Sequence, residues 1–343
     1  MMVFVIFFYS LLFLADVATK RNSAHPPAGS APTKASVEKS IGRMTVGELK
    51  AREDLFKKNL EKRPRLTMAL SLVFLSILAA GFILNLYFLV RKKRRFWGES
   101  PSLSSEGSVP WGIKEVVHVF IFLFFAEAVI LFIEVVLAVF FHVKNLEKDL
   151  VLILNSLVRD VLVAAFVIFL VKKHFHKPLS EIGLTVKGLF KNIARGFMCY
   201  LAVIPALFTV LFVIAALAQT FSYEPPPQPV VEIYLKESSE KYLTFFTLFV
   251  AVVGPAIEEI FFRGFAYKGL RERLGVRRAM IGSAAIFAAL HMNLVAFFPI
   301  FLLGLYLAYL YEKSGSLVPS MTVHMVHNLA MVLLTLGFKS LST

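Results

Sequence analysis

The sequence predicts an all-α fold, a polytopic transmembrane helical bundle of about eight spans with an N-terminal signal or anchor segment. Three observations predict it. Apolar residues make up 57% of the 343-residue chain, 35 of its residues are phenylalanine, and the mean hydropathy is +0.72. Soluble domains hold a more even mix of apolar and polar residues. Several apolar runs also reach the roughly 20 residues that a helix needs to cross a bilayer core. Finally, the basic residues gather beside these runs, as they do in loops that orient membrane helices. That placement argues against nucleic acid as a partner despite a formal charge of +14.

Met1 to Leu14 is a short apolar run, and small residues follow within Ala15 to Ala18. Residues 1–18 therefore read as a signal peptide or an N-terminal anchor helix, and either would place the next segment outside. Residues 19–65 read as an extracytoplasmic linker and a short charged helix. The linker, 22–44, is rich in Pro, Ala, Ser and Gly. The helix starts at Thr45, which has capping-box spacing to Glu48. An unknown partner for 19–65 is left open.

Residues 66–178 hold the N-terminal transmembrane helices, with spans expected at 66–90, 116–142 and 149–171. Residues 179–343 form the core, with spans expected at 196–220, 243–269, 278–292, 295–312 and 317–337. Counting spans places three basic clusters on one side, read as cytoplasmic. They are Arg91 to Arg95, then Lys172, Lys173, Lys177, Lys187 and Lys191, then Lys268, Arg271, Arg273, Arg277 and Arg278. The loop 221–242, with Pro225 to Pro227, falls on the other side. The single cysteine, Cys199, lies in an apolar run, so no internal disulfide forms.

Two spans carry charges. Glu127 and Glu134 lie in the second, Arg159 and Asp160 in the third. Counted from the outer ends, Glu134 and Arg159 reach similar depth, and they are expected to pair across antiparallel helices.

Three polar clusters mark the C-terminal third: Glu258-Glu259 with Arg263, Phe287 with His291, and His324 with Asn328. Four-residue spacing puts each pair on one helix face. Taken singly, each also fits a packing role, such as a buried ion network, a hydrogen-bonded histidine or an interhelical clamp. Depth changes the balance. Glu258, His291 and His324 lie about 12, 14 and 11 residues from their cytoplasmic ends, so each is roughly 16–21 Å deep. Three antiparallel neighbours would bring them level near mid-membrane.

The roles then separate. Glu259 is one turn from Arg263 and can be neutralised by it, whereas Glu258 points about 100° away around the helix and is free to act as a general base. His324 and Asn328 on one face can both donate to one oxygen, the arrangement of an oxyanion hole. His327 lies on an adjoining face. Two glutamates and three histidines also have the composition of a zinc site. No HExxH pairing is present, however, and an arginine beside the glutamates disfavours a dication. No metal or other cofactor is expected.

The motifs EExxxR (Glu258, Glu259, Arg263), FxxxH (Phe287, His291) and HxxxN (His324, Asn328) resemble the three signatures of the CPBP membrane proteins. That family includes type II CAAX prenyl endopeptidases and bacteriocin-processing and immunity proteins. The resemblance covers about residues 180–337, with Leu179 to Leu184 leading in, and leaves residues 1–110 aside. It implies an intramembrane glutamate-dependent endopeptidase acting on a peptide or protein that reaches the membrane, with CAAX-type C-terminal processing as the family expectation. Glu258 would activate a water and His291 would position it or shuttle the proton. His324 and Asn328 would stabilise the oxyanion, and Glu259, Arg263 and Phe287 would support them. Non-ideal helix at Gly254-Pro255, Pro299 and Pro319 would admit water, from a mouth on the cytoplasmic side. Rival readings are a non-catalytic immunity or scaffold protein of the same fold, a metal-dependent membrane protease, and a transporter. The last lacks an inverted repeat.

Overall fold

The computed structural model of the protein describes residues 44, 46–90, 108–140, 148–221 and 229–343. The expected signal or anchor, the linker, the Thr45 cap, the Arg91 to Arg95 cluster and Pro225 to Pro227 lie outside these residues. Within them every regular element is helical. The helices are α1 (Val46–Glu61), α2 (Pro64–Val90), α3 (Ile113–Phe140), α4 (Lys148–Phe169), α5 (Leu189–Thr220), α6 (Pro229–Lys236), α7 (Glu240–Leu248), α8 (Gly254–Glu259), α9 (Lys268–Ala289), α10 (Leu294–Ser314) and α11 (Leu317–Leu341). Among the described residues, seven continuous helical stretches are long and apolar enough to cross a membrane. The protein is an integral, multi-pass membrane protein.

One of those seven stretches, Glu240–Ala289, holds two passes. It reverses at Gly275, whose φ of 74° and ψ of 169° are available essentially to glycine alone. Past the turn the two arms run antiparallel. Ser283 Oγ donates to the Phe262 carbonyl at 3.2 Å, and the Phe262 and Phe287 rings meet edge-on at 5.0 Å. The expected division into spans 243–269 and 278–292 therefore falls at a backbone reversal.

The described residues form two compact units. The first takes the described part of Met1–Ala80 with Phe208–Ser238 and Ala330–Thr343. Here α1 buries Leu49, Phe56 and Leu60 against Leu235 and Phe338. The Phe56 and Phe338 rings lie 5.0 Å apart, and Asn59 Nδ2 donates to the Leu341 carbonyl at 2.9 Å. Lys339 Nζ donates to the Tyr234 carbonyl at 3.1 Å and to that of Glu237, capping the end of α6.

The second unit takes Gly81–Leu207 and Ser239–Leu329. In it α3 and α4 pack together, and the expected Glu134–Arg159 pair is replaced by two others. Glu134 accepts from Asn155 Nδ2. Arg159 Nη1 lies 3.6 Å from Glu127 Oε2, and its Nη2 lies 3.1 Å from Asp160 Oδ1. Glu127 and Glu134 share one stripe of α3 but lie two turns, roughly 10 Å, apart along it, so α3 and α4 pack in a register other than the one the depth count implied. The charge on Arg159 is still offset, by the other carboxylate.

Polar contacts fix the ends of the core helices. Lys268 Nζ donates to the Glu181 carbonyl and lies 3.3 Å from the Glu181 carboxylate. The first amide of α11, Leu317, donates to the Gly183 carbonyl at 2.9 Å, satisfying one of the donors that a helix start leaves open. Glu312 accepts from Tyr267 at 2.8 Å and from Arg271 at 3.1 Å. Trp111, just before α3, stacks on Phe265 at 5.2 Å and donates to its carbonyl at 3.1 Å.

Candidate active site

The site is built around α8, a six-residue helix between two π-helical stretches, Phe249–Val253 and Ile260–Tyr267. Such wide turns often accompany functional positions because they redirect side chains and free backbone groups. Here the freed group can be named. The Gly254 amide bonds the Phe249 carbonyl, and the next residue, Pro255, has no N–H to offer Val250 in the same register. The Val250 carbonyl accepts instead from Asn328 Nδ2 at 2.9 Å.

At the far end of α8 the two glutamates part. Glu259 and Arg263 have no exposed side-chain surface and lie 2.7 Å apart, Oε1 to Nη1. The Arg263 guanidinium also donates to the Gly304 carbonyl at 3.3 Å and sits 4.5 Å above the Phe287 ring. A Cβ on Gly304 would stand 3.1 Å from that of Ala284, so glycine is what allows α10 this near to α9. Glu258, by contrast, keeps 30% of its side-chain surface accessible.

His324 spans both carboxylates. Its Nδ1 lies 3.2 Å from Glu259 Oε1 and its Nε2 lies 3.6 Å from Glu258 Oε2. Phe287 is the hinge of the cluster, since its edge-on neighbours are His291 at 4.9 Å and His324 at 5.6 Å. His291 Nδ1 lies 2.8 Å from the Phe287 carbonyl. A carbonyl only accepts, so this nitrogen carries a hydrogen, and in the neutral ring the lone pair is then on Nε2. After the turn at His291, Asn293 caps α10 by accepting from the Ala296 amide at 2.9 Å.

Glu258, Glu259, Arg263, Phe287, His291 and His324 thus form one chain of contacts, and Asn328 joins it through the π-helical stretch that leads into α8. One neighbour lies outside the site residues expected from sequence. Asp160, noted there only as a charge within the third span, lies within electrostatic reach of Glu258, and α4 packs against α8. A signal for it existed. Asp160 is 12 residues from Lys172, the count that separates Glu258 from Leu270. Among the described residues, no three His, Cys, Asp or Glu side chains converge as a metal-ligand set.

Residues 240–330 match the family described as type II CAAX prenyl endopeptidase, Rce1-like. Over this stretch the chain is similar to that endopeptidase family. The Rce1-like segment contains α7 to α10 and the part of α11 that bears His324 and Asn328, so it holds all seven motif residues. Helices α1 to α6 and the Leu179 to Leu184 stretch lie outside it. No curated protein and no solved structure matches the chain.

Proposed function

We propose that the protein is an intramembrane endopeptidase that hydrolyses a peptide bond with a water activated by Glu258. One observation carries the reading: of two adjacent glutamates, Glu259 is sealed against Arg263 while Glu258 keeps accessible surface. A buried, paired carboxylate is structural. A carboxylate facing accessible space beside two histidines is placed for general-base work.

In the first step Glu258 takes a proton from water as the water oxygen bonds to the scissile carbonyl carbon, and the C=O pair moves onto oxygen. His291 assists, because its bare Nε2 can accept a hydrogen bond from the same water. His324 lies between the two carboxylates, with Nδ1 toward Glu259 and Nε2 toward Glu258, and a hydrogen on Nε2 is placed to donate to the oxyanion. Asn328 has two amide hydrogens; one is fixed on Val250 and the other remains for the oxyanion. Collapse of the intermediate breaks the C–N bond, and the proton held by Glu258 passes to the leaving amine.

The substrate reading is CAAX-type C-terminal processing, supported by the family match, with the site opening toward the basic, cytoplasmic loops. The test uses purified protein and a farnesylated peptide with a CAAX tail. Glu258→Gln should abolish cleavage while the protein stays folded in membranes, and unchanged cleavage would refute Glu258 as the base. Stoichiometric zinc in active protein, with cleavage lost on its removal, would overturn the water-activation scheme.

A further inference from the structure

α11 carries three polar side chains toward this region. Relative to His324, Asn328 is turned by about 40° one way and His327 by about 60° the other. Two have their work assigned: His324 bridges the glutamates and Asn328 holds the Val250 carbonyl. His327 does not. Its Nδ1 is buried without a hydrogen-bond partner, its ring meets the Tyr200 ring of α5 at 6.0 Å, and His324 lies within electrostatic reach.

An imidazole at membrane depth with no partner is a cost that a bundle avoids unless something arrives to meet it. The other orphaned polar atoms nearby, Glu259 Oε2 and Arg263 Nε, belong to side chains with no exposed surface, so nothing can reach them. His327 is different because the residue is only half-buried. At the sealed nitrogen a lone pair is easier to leave unpaired than an N–H. The hydrogen of the neutral ring then sits on Nε2, at the other edge.

We propose that His327 is a substrate-contact residue whose Nε2–H donates to a backbone carbonyl of the bound peptide, one helical turn from His324. This rests on the peptidase reading, which supplies the ligand class. It extends the polar wall of the site along α11 toward α5, outside the three motifs. The contact holds the peptide before and during reaction alike, so it acts on binding rather than on the chemical step.

The experiment measures kcat and KM on the farnesylated CAAX peptide for wild type, His327→Phe, His327→Gln and His327→Asn. Loss of one such hydrogen bond should raise KM roughly tenfold in His327→Phe with kcat within about threefold. Gln places its amide nitrogen near the position of Nε2 and should restore KM to within about threefold, whereas Asn reaches only the Nδ1 position and should not. An unchanged KM in His327→Phe, a loss confined to kcat, or equal behaviour of Gln and Asn would overturn the proposal. Anisotropy of the labelled peptide on Glu258→Gln protein, with and without His327→Phe, keeps the two readings apart. If wild type cleaves nothing, the peptidase reading fails. Even then, weaker binding in the His327→Phe variant supports the contact, and equal or absent binding sinks it. Should His327→Phe not fold, the Gln and Asn pair decides.

Discussion

Two clusters in the second unit have almost the same composition and differ in what surrounds them. One, on α3 and α4, is Glu127, Arg159 and Asp160; the other, on α8 and its π-helical extension, is Glu258, Glu259 and Arg263. Each has two carboxylates and one arginine. In the first, all three side chains keep some exposure, at 38%, 31% and 15%, and the arginine is shared between both carboxylates. In the second, the arginine and one glutamate are wholly sealed and the other glutamate is 30% exposed. Sharing makes an even clamp, whereas sealing one partner leaves a carboxylate whose charge is not spent. His324 enforces the split by reaching both glutamates, and the first cluster has no such neighbour among the described residues.

The contrast breaks most visibly at the sealed pair. Glu259→Gln and Arg263→Ala each strand an opposite charge in the core, at a cost of about 3–5 kcal/mol. Both variants should accumulate poorly and unfold early in a detergent thermal-shift assay. Arg263→Lys should not rescue, since a single ammonium cannot bond Glu259, bond the Gly304 carbonyl and cover the Phe287 ring together. Normal stability in Glu259→Gln would make the two glutamates equivalent and end the comparison.

Next in size are the losses confined to rate. His291→Ala should lower kcat by about 10²–10⁴ and Asn328→Ala by about 10²–10³, with melting close to wild type for His291→Ala. Asn328→Ala should also melt somewhat lower, because the Val250 carbonyl loses its donor. A melting change without a rate change in either variant would turn that residue into a clamp like those of α3 and α4.

Much of this was legible beforehand, and the misses have physical causes. Helical period and apolar run length were enough to expect Glu258, His291 and His324 at similar depth on neighbouring helices, because those quantities act along a single helix. Separating Glu258 from Glu259 needed only the 100° step. What lay out of reach depended on register between helices: which of two carboxylates on one stripe of α3 meets Arg159, or that His324 touches both glutamates. The role of Asn328 turned on a backbone detail, the carbonyl released where Pro255 follows a π-helical stretch. Asp160 was countable, but its approach to Glu258 depends on how α4 packs against α8.

The weaker cluster gives a smaller prediction. Glu127→Gln leaves Arg159 its Asp160 contact, and with more than a third of Glu127 exposed the change should be within about 1 kcal/mol. A loss as large as that of Glu259→Gln would show that exposure does not separate the clusters.

The smallest effect sharpens the rule in α1, which is not among the seven long apolar stretches. Glu53 of α1 is a part-buried carboxylate whose Oε1 has no hydrogen-bond partner, and burial is the main cause that raises its pKa above the usual carboxylate value. Lys57 pulls the other way, but it also lies 3.5 Å from Asp54 and so is shared. A raised pKa means the folded state holds the proton more tightly than the unfolded chain. Its contribution is therefore fully present below about pH 4 and fades as pH rises through the folded value. Glu53→Gln removes that loss. Compared with wild type, the variant should melt slightly higher at pH 7 and no higher at pH 4, in paired thermal melts. The opposite trend would mean that Lys57 neutralises Glu53 as fully as Arg263 neutralises Glu259, and sealing would no longer be what distinguishes the paired carboxylate from the free one.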